Sequence, residues 1–471
     1  MRFGSSGENI MNSATVEALR SSLRGPVIDP RDAAYAEARK VYNAMIDKHP
    51  AAIVRCADAA DVMAAVALVR DAGLEPAVRG GGHSGPGLCL VDEGVTIDLS
   101  PMRWVHVDPA ARTAQVGGGA LLGDLDHAAH AFGLATPAGI VSSTGAAGLT
   151  LGGGHGYLTR KYGLTVDNLL AADVVLADGR FVTADENEHP DLFWALRGGG
   201  GNFGVVTSLT YRLHPVDTVG MAITVWPVER TRDVLSWYRE FLPRAPEDVY
   251  GFYTMFVIPP APPFPEEIHG RTMCGVVWCR TGDPDRFEET FATSGEPGPP
   301  AFHFASPMPY PAIQSMFDDL IPPGYQWYWR GHFFDRIPDA ALDVHLEYGE
   351  KVPTSLSLMH LYPVDGAAHR TDPDATAWSY RDAVWSGVLA GVDPDPANAE
   401  AIRRWCVDYW DALLPYSMGG SYVNFIGAGE GRERVLATYR GHYDRLAEIK
   451  RTYDPDNFFR ANQNIEPAPR P

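Results

Sequence analysis

No stretch of the 471 residues approaches the ~18 uninterrupted apolar residues of a membrane-spanning helix, which excludes such a span. The opening residues also lack the apolar run of about 7–15 residues that marks a secretory signal. Met11 is a second candidate start, with a helix expected behind it from Thr15 to Arg24. Cysteine is scarce: Cys56, Cys89, Cys274, Cys279 and Cys406 are odd in number and mostly far apart. That usage suits a reducing, cytoplasmic setting better than a disulfide framework. Cys274 and Cys279, five apart in an apolar run, would point to opposite faces of a strand, which argues against a shared metal or bridge there. Basic side chains are also few, 39 against 59 acidic ones. The resulting formal charge of −20 repels phosphate backbones and anionic lipid heads, and so argues against nucleic acid and membrane surfaces as partners. P-loop, H-E-x-x-H and G-x-S-x-G motifs are absent, leaving nucleotide-hydrolase, zinc-protease and α/β-hydrolase readings without support.

The chain does have ample material for a core, with 45% hydrophobic and 21% charged residues. Its length suits three units of ~150 residues or two larger lobes. Of its 48 glycines, 26 lie between Gly73 and Gly204, where an even spread would place about 13. Such clustering implies left-handed backbone or a ligand lying against the main chain, with a turn-rich β domain as the plain alternative.

Helices are expected over Asp32 to Ile46 and after Asp58, the latter with Val62, Val66 and Val69 on one face and Gly73 ending it. Strands are expected at Ile53 to Cys56, Pro76 to Val78, Val95 to Leu99, Trp104 to Val107 and Thr113 to Val116. A further helix ends near Gly133, and Asp178-Gly179 should turn a hairpin. Beyond about Pro215, proline and aromatics dominate, with strand candidates at Thr254 to Ile258, Met273 to Cys279 and Ser355 to Tyr362. A last helix is expected from Arg432 to Tyr453.

Gly199, Gly201 and Gly204 satisfy G-x-G-x-x-G, but a predicted helix, Pro190 to Leu196, precedes them and a β-branched run follows. That order is the reverse of a Rossmann fingerprint. Several separate glycine loops instead suit one extended phosphate-bearing ligand gripped by backbone amides. His83 lies inside one of these loops, where a histidine can donate a plain hydrogen bond or ligate, protonate or attach to a cofactor.

Four segments then occur together: Arg79-Gly-Gly-Gly-His83-Ser, Gly152-Gly-Gly-His-Gly-Tyr-Leu-Thr-Arg-Lys-Tyr-Gly-Leu164, Gly-Gly-Asn202-Phe-Gly-Val-Val-Thr207, and Tyr422-Val-Asn424-Phe with Asn457-Phe-Phe-Arg-Ala-Asn-Gln-Asn-Ile465. In this order they resemble the berberine bridge enzyme-like FAD-linked oxidases of the vanillyl-alcohol oxidase superfamily, over nearly the whole chain from Val41 to Ile465. The resemblance implies an α+β, two-lobe protein: an FAD-binding domain of the PCMH type and an inserted antiparallel-sheet substrate lobe backed by helices. The implied boundaries are a helical segment 1–40, the FAD domain 41–215, the substrate lobe 216–420, and a segment 421–471 returning to the FAD domain.

By the same resemblance, His83 is the site of covalent attachment to the flavin 8α-methyl group. The cofactor wall would comprise Arg79, Gly80, Gly81, Gly82, Ser84, Gly139, Ser143, Thr144, Gly145, Gly148, Gly153, Gly154, His155, Gly204, Val205, Val206, Tyr422, Asn424 and Asn462. Two departures matter. Val141 stands where many relatives carry a cysteine for a second link, so a single link is expected. Phe425 stands where many carry a catalytic tyrosine, so the base lies elsewhere. Candidates are Tyr422 and Asn424, two apart on a strand, His360, which would share a sheet face with Leu358 and Tyr362, and Tyr253. Tyr328 and Arg330 are weaker pocket candidates. The implied activity is oxidation of a small molecule at an alcohol, hemiacetal or activated C–H, with molecular oxygen as acceptor and hydrogen peroxide as product. Thr144 lies near the position that controls oxygen access in relatives. A dehydrogenase, an internal oxygenase and a flavin-binding protein without turnover stand as alternatives.

Overall fold

A computed structural model describes residues 13–283, 286 and 297–470. Among them, no helix is long and apolar enough to cross a membrane. The first layer is a four-stranded sheet ordered Val27–Ile28, Ala52–Arg55, Val95–Asp98, Pro76–Arg79. Its last three strands are parallel, as a β-α-β connection requires. That connection is the helix Ala59–Asp71, begun by the Asp58 carboxylate accepting from the Asp61 amide. Val62, Val66 and Val69 pack on the sheet, and Gly73 ends the turn at φ +66°.

A five-stranded antiparallel sheet follows, ordered Val105–Asp108, Thr113–Gly117, Val205–Arg212, Leu169–Val175, Phe181–Asp185. Its last pair is the hairpin turned at Asp178-Gly179, with Gly179 at φ +84°. The helix Pro190–Leu196 and the carboxy-terminal helices fill its core with Leu192, Phe193, Leu196, Leu446 and Ile449.

The third sheet has seven antiparallel strands, in the order Phe302–Pro309, Thr218–Pro227, Thr272–Arg280, Val249–Val257, Leu358–Pro363, Trp385–Asp393, Gln326–Phe334. Both faces of its inner strands are covered, which is why these read as continuous apolar runs, whereas the edge strand Phe302–Pro309 is largely exposed. On the far face Val249, Tyr253, Met255, Cys274 and Trp278 pack against the helices Thr231–Phe241, Asp339–Gly349 and Ala399–Leu413. The near face carries Tyr250, Phe252, Val277, Cys279, Tyr362 and Val388 toward the glycine loops. Cys274 and Cys279 thus fall in different cores, and all five cysteines are free and buried.

Two expectations need correction. The helix expected over Asp32 to Ile46 is confined to Tyr35–Ala38, because residues beyond it are drawn into contacts with distant segments: the Tyr42 amide donates to the Gly82 carbonyl and the Ala44 amide to the Tyr325 carbonyl. The helix expected over Arg432 to Tyr453 is two, Gly431–Tyr439 and Tyr443–Tyr453, broken at Arg440 (φ +45°), whose guanidinium lies 3.5 Å over the Tyr380 ring. Between Gly145 and Gly152 the chain also forms a short helix, Ala146–Leu151.

The returning segment is fixed by a buried ammonium. Lys450 Nζ donates to the Asn202 carbonyl (2.6 Å), the Phe459 carbonyl (2.9 Å) and Asp454 Oδ2 (2.6 Å), with no solvent exposure of either side chain in the pair. Asp454 also accepts from the Phe458 and Phe459 amides. Lys450→Met strands that carboxylate and is expected to cost about 3–5 kcal/mol, read as a lower denaturant midpoint, whereas Lys450→Met with Asp454→Asn should recover part of the loss.

Candidate active site

The Pro76–Arg79 strand delivers the chain into Gly80-Gly81-Gly82-His83-Ser84. The Arg79 side chain is engaged by protein groups. Its guanidinium is buried against Asp98 and donates to the Ala38 carbonyl at 2.6 Å, so it anchors the loop from behind. Gly81 lies so close to the second glycine loop that a Cβ there would come within 2.4 Å of the Gly145 amide nitrogen. This contact sets Ser143 Oγ 3.0 Å from His83 Nε2. The His83 ring stacks on Tyr42 at 3.9 Å and 22°. Burial pulls the His83 pKa down to about 4, so the imidazole is neutral near pH 7. Gly82 turns at φ +72°, and the amides of Gly81, Gly82 and His83 donate to nothing among the described residues. Successive unpaired amides around a left-handed glycine form the kind of nest that receives phosphate oxygens, so the loop fits the pyrophosphate of a dinucleotide.

The loop Gly152–Gly154 runs beneath the carboxy-terminal segment. A Cβ on Gly153 (φ +127°) would strike the Trp378 ring at 2.2 Å, and one on Gly152 the Asn424 amide at 2.5 Å. Tyr422 and Asn424 do come together, yet not on a strand. They occupy one 3-10 turn, Val423–Phe425 with Tyr422 at its cap, and Asn424 Nδ2 donates to Tyr422 Oη at 2.7 Å. Tyr422 Oη also accepts from the Gly154 amide (3.1 Å) and donates to the Leu149 carbonyl (3.2 Å). Burial pushes this phenol well above its ordinary pKa, and its proton is committed to Leu149. Tyr422 therefore orients the glycine loop and is poorly suited to act as a base.

His155 projects from the same loop among Tyr422 (4.8 Å between ring centroids), Tyr362 (5.0 Å) and Phe425 (5.7 Å). It is 5% exposed, and neither ring nitrogen has a hydrogen-bond partner among the described residues. A buried imidazole with two orphaned nitrogens is costly unless a ligand completes it. Burial drives its pKa down to about 3.

The near face of the seven-stranded sheet lies across from these loops. His360 sits on an interior strand, with Nδ1 2.5 Å from Tyr362 Oη and its ring 4.7 Å from Phe252. Burial holds His360 at about 3 and raises Tyr362. Tyr253, a candidate from sequence, is on the wrong face: strand alternation sends it to the helix side, with its ring 5.7 Å from Tyr238, and gives the site face to Phe252. Arg330 and Tyr328 point the same wrong way, Arg330 stacking over Trp410 at 4.8 Å. Their neighbour Trp329 takes the near face, packs over Gly85 and donates from Nε1 to the Asn424 carbonyl at 3.3 Å, joining the His83 loop to the Tyr422 turn.

Following this alternation across the sheet, the near face carries Met221, Ile223 and Val225, then Met273, Val277 and Cys279, then Tyr250, Phe252, Thr254 and Phe256, then His360 and Tyr362, then Ser386 and Val388, and finally Trp327, Trp329 and Phe333. None of these carries a formal charge at neutral pH.

The remaining wall candidates frame the loops. The Gly139 carbonyl accepts from Gln314 Nε2, the Thr144 carbonyl accepts from the Leu122 amide, and a Cβ on Gly148 would meet open space. Gly204 (φ +156°) presses on Val174 and Val175 as the chain enters Val205 and Val206, which are buried in two different cores. Asn462 Nδ2 donates to the Gly201 carbonyl at 2.9 Å. Sequence reasoning missed Tyr42, because a predicted helix concealed it. It also missed Asn202 as an organiser: its side chain donates to the Gly199 and Gln463 carbonyls and accepts from the Ile465 amide.

Comparison with known proteins matches the family descriptions "FAD binding domain" over residues 50–185 and "Berberine and berberine like" over residues 421–466. The chain is 31% identical to an FAD-linked oxidoreductase of Dictyostelium discoideum, over 91% of each chain. It is 30% identical to (R)-6-hydroxynicotine oxidase of Paenarthrobacter nicotinovorans, covering 95% of this chain and 97% of that one. A crystal structure of 6-hydroxy-D-nicotine oxidase from Arthrobacter nicotinovorans superposes with a TM-score of 0.83 at 28% identity, over 95% of this chain and 99% of that one.

The buried histidines have a measurable consequence. His83, His155, His214, His332, His345 and His360 are all held at about 3 or 4 by burial, below the ordinary value of 6.5. Between pH 6.5 and 4 the unfolded chain binds protons at these positions that the folded chain does not, so the histidines make stability fall as pH drops through that window. Asp126, pushed up to about 7, and Glu430, also raised, act in the opposite direction but are outnumbered. Thermal midpoints measured from pH 7.5 to 4.5 should decline steadily below about pH 6.5. A flat profile would show that these imidazoles are not buried in neutral form.

Proposed function

This chain belongs to the berberine bridge enzyme-like family of FAD-linked oxidoreductases, and from that premise we propose that it oxidises an uncharged, flat small molecule at an alcohol, hemiacetal or activated C–H, with its flavin held covalently through His83 and dioxygen as acceptor. Residues 41–215 with 421–471 serve as the cofactor lobe and 216–420 as the substrate lobe. The observation that carries the reading is the charge-free near face, with its His360–Tyr362 pair opposite the glycine cradle.

Bound FAD would supply a hydride acceptor whose two electrons pass to dioxygen as hydrogen peroxide. The protein supplies the rest. In the tautomer that donates Nδ1–H to Tyr362 Oη, His360 keeps a lone pair on Nε2 to take a substrate hydroxyl proton, and Tyr362 stabilises the imidazolium that results. His155, with two open nitrogens, positions a substrate oxygen or the flavin edge. Aromatic walls at Phe252, Tyr362 and Phe425 favour a planar substrate and exclude water. Asn424 and Tyr422 hold the Gly152–Gly154 loop in register.

At His83, Nε2 is engaged by Ser143 and the ring is neutral, which leaves a nucleophilic nitrogen for attachment. Attachment at the 8α-methyl group of bound FAD would replace one C–H and one N–H hydrogen, with dioxygen taking up the two electrons and two protons as hydrogen peroxide. Val141 and Phe425 are consistent with a single link and with a base outside the carboxy-terminal motif.

Acid precipitation should leave the yellow flavin in the protein pellet, and His83→Ala should release it to the supernatant. Peroxide should form at about one equivalent per substrate oxidised, whereas a ratio near zero would favour a dehydrogenase or an internal oxygenase. His360→Gln should lower kcat/KM by about 10²–10⁴-fold while FAD content is unchanged. Because His360 is held at about 3, activity in the wild type should show no acid limb from pH 8 down to about 5. An inflection near 6.5 that persists in His360→Gln would remove His360 from the role.

A further inference from the structure

Resting on the His83 reading above, we infer that Tyr42 is a positioning residue for flavin attachment, and that through it attachment is coupled to docking of the inserted lobe. An imidazole has two side-chain torsions to fix, and a reacting nitrogen displaced by about 1 Å can cost on the order of 10²-fold in rate. The Ser143 bond fixes one nitrogen, and the Tyr42 face, stacked at 3.9 Å, fixes the ring plane.

Tyr42 is itself placed by the other lobe. Its ring meets Trp327 at 5.2 Å, and its hydroxyl donates to the Ile321 carbonyl at 2.6 Å. The Gly324 amide donates to the Tyr42 carbonyl, and the Tyr42 amide donates to Gly82 within the flavin loop. Asn43 completes the strap: Nδ2 donates to the Gly85 carbonyl (2.7 Å) and the Trp327 carbonyl (2.9 Å), and Oδ1 accepts from the Trp327 amide (3.1 Å). Three segments distant in sequence, residues 42–44, 82–85 and 321–327, thus meet around one imidazole. The hydroxyl is committed to Ile321 and is unavailable as a base, so the contribution of Tyr42 is its flat ring. The imidazole acquires its orientation only once the Ile321 to Trp327 segment is seated.

The test compares wild type, Tyr42→Phe, Tyr42→Leu and Asn43→Ala by total flavin per chain, flavin retained in the acid pellet over time, and thermal midpoint. Tyr42→Phe keeps the stack and should attach flavin within about twofold of the wild-type rate. Tyr42→Leu should bind FAD but attach it at least about tenfold more slowly. Asn43→Ala loosens the strap without touching His83 and should fall between the two. Attachment at the wild-type rate in Tyr42→Leu overturns the positioning role, and Tyr42→Phe as slow as Tyr42→Leu overturns the assignment to the ring. Should Tyr42→Leu fail to fold, Asn43→Ala decides, a wild-type rate there overturning the coupling. A wild-type chain with no flavin in the pellet overturns the His83 reading and this inference with it.

Discussion

The site depends on one close approach of backbone to backbone. Gly81 and Gly145 touch at a distance no side chain could occupy, which brings the His83 loop against the loop carrying Ser143. From that contact follow the hydrogen bond between His83 and Ser143, the face of His83 left for Tyr42, and the cradle of free amides beside them. Any substituent at either glycine would wedge the loops apart, and the effect would reach the strap, Trp329 and the Tyr422 turn together. The concentration of glycine in this part of the chain is therefore a packing requirement before it is a flexibility.

The sheet facing this cradle partitions its chemistry by alternation. Far-face residues such as Trp278 and Tyr253 build a core with three helices, while near-face residues line the site. The chain carries a formal charge of −20, yet the near face carries none. The titratable groups on it and beside it, histidines, tyrosines and Cys279, are kept neutral by burial, so the wall itself brings no ion to the site. In a low-dielectric wall this avoids the desolvation cost that a carboxylate or ammonium would impose.

Much of this was legible in the sequence where the signal was local. The Asp58 cap, the Asp178-Gly179 turn and the Pro190–Leu196 helix each follow from a few adjacent residues. The glycine loops and His83 were legible as a cradle, and their order along the chain pointed to the family. What failed was decided at long range. Residues after Ala38 read as helix but are pulled toward Gly82 and Tyr325, and the last long helix breaks where Arg440 finds Tyr380. Tyr253 and Phe252 are equally plausible pocket residues until strand register assigns their faces, and Tyr422 lies on a turn because its hydroxyl is held by Gly154 and Leu149.

The Lys450 clamp also sets an order of events during biosynthesis. Lys450 reaches the Asn202 carbonyl from 248 residues further along the chain. At about 5–20 residues per second, ribosomal synthesis leaves the glycine loop waiting on the order of 10–50 s for the ammonium that pins it. The entire inserted lobe emerges in that interval. The nascent amino-terminal half therefore spends its early life with the Asn202 loop unclamped, and a product stalled before Lys450 would lack the buried cation that pins it.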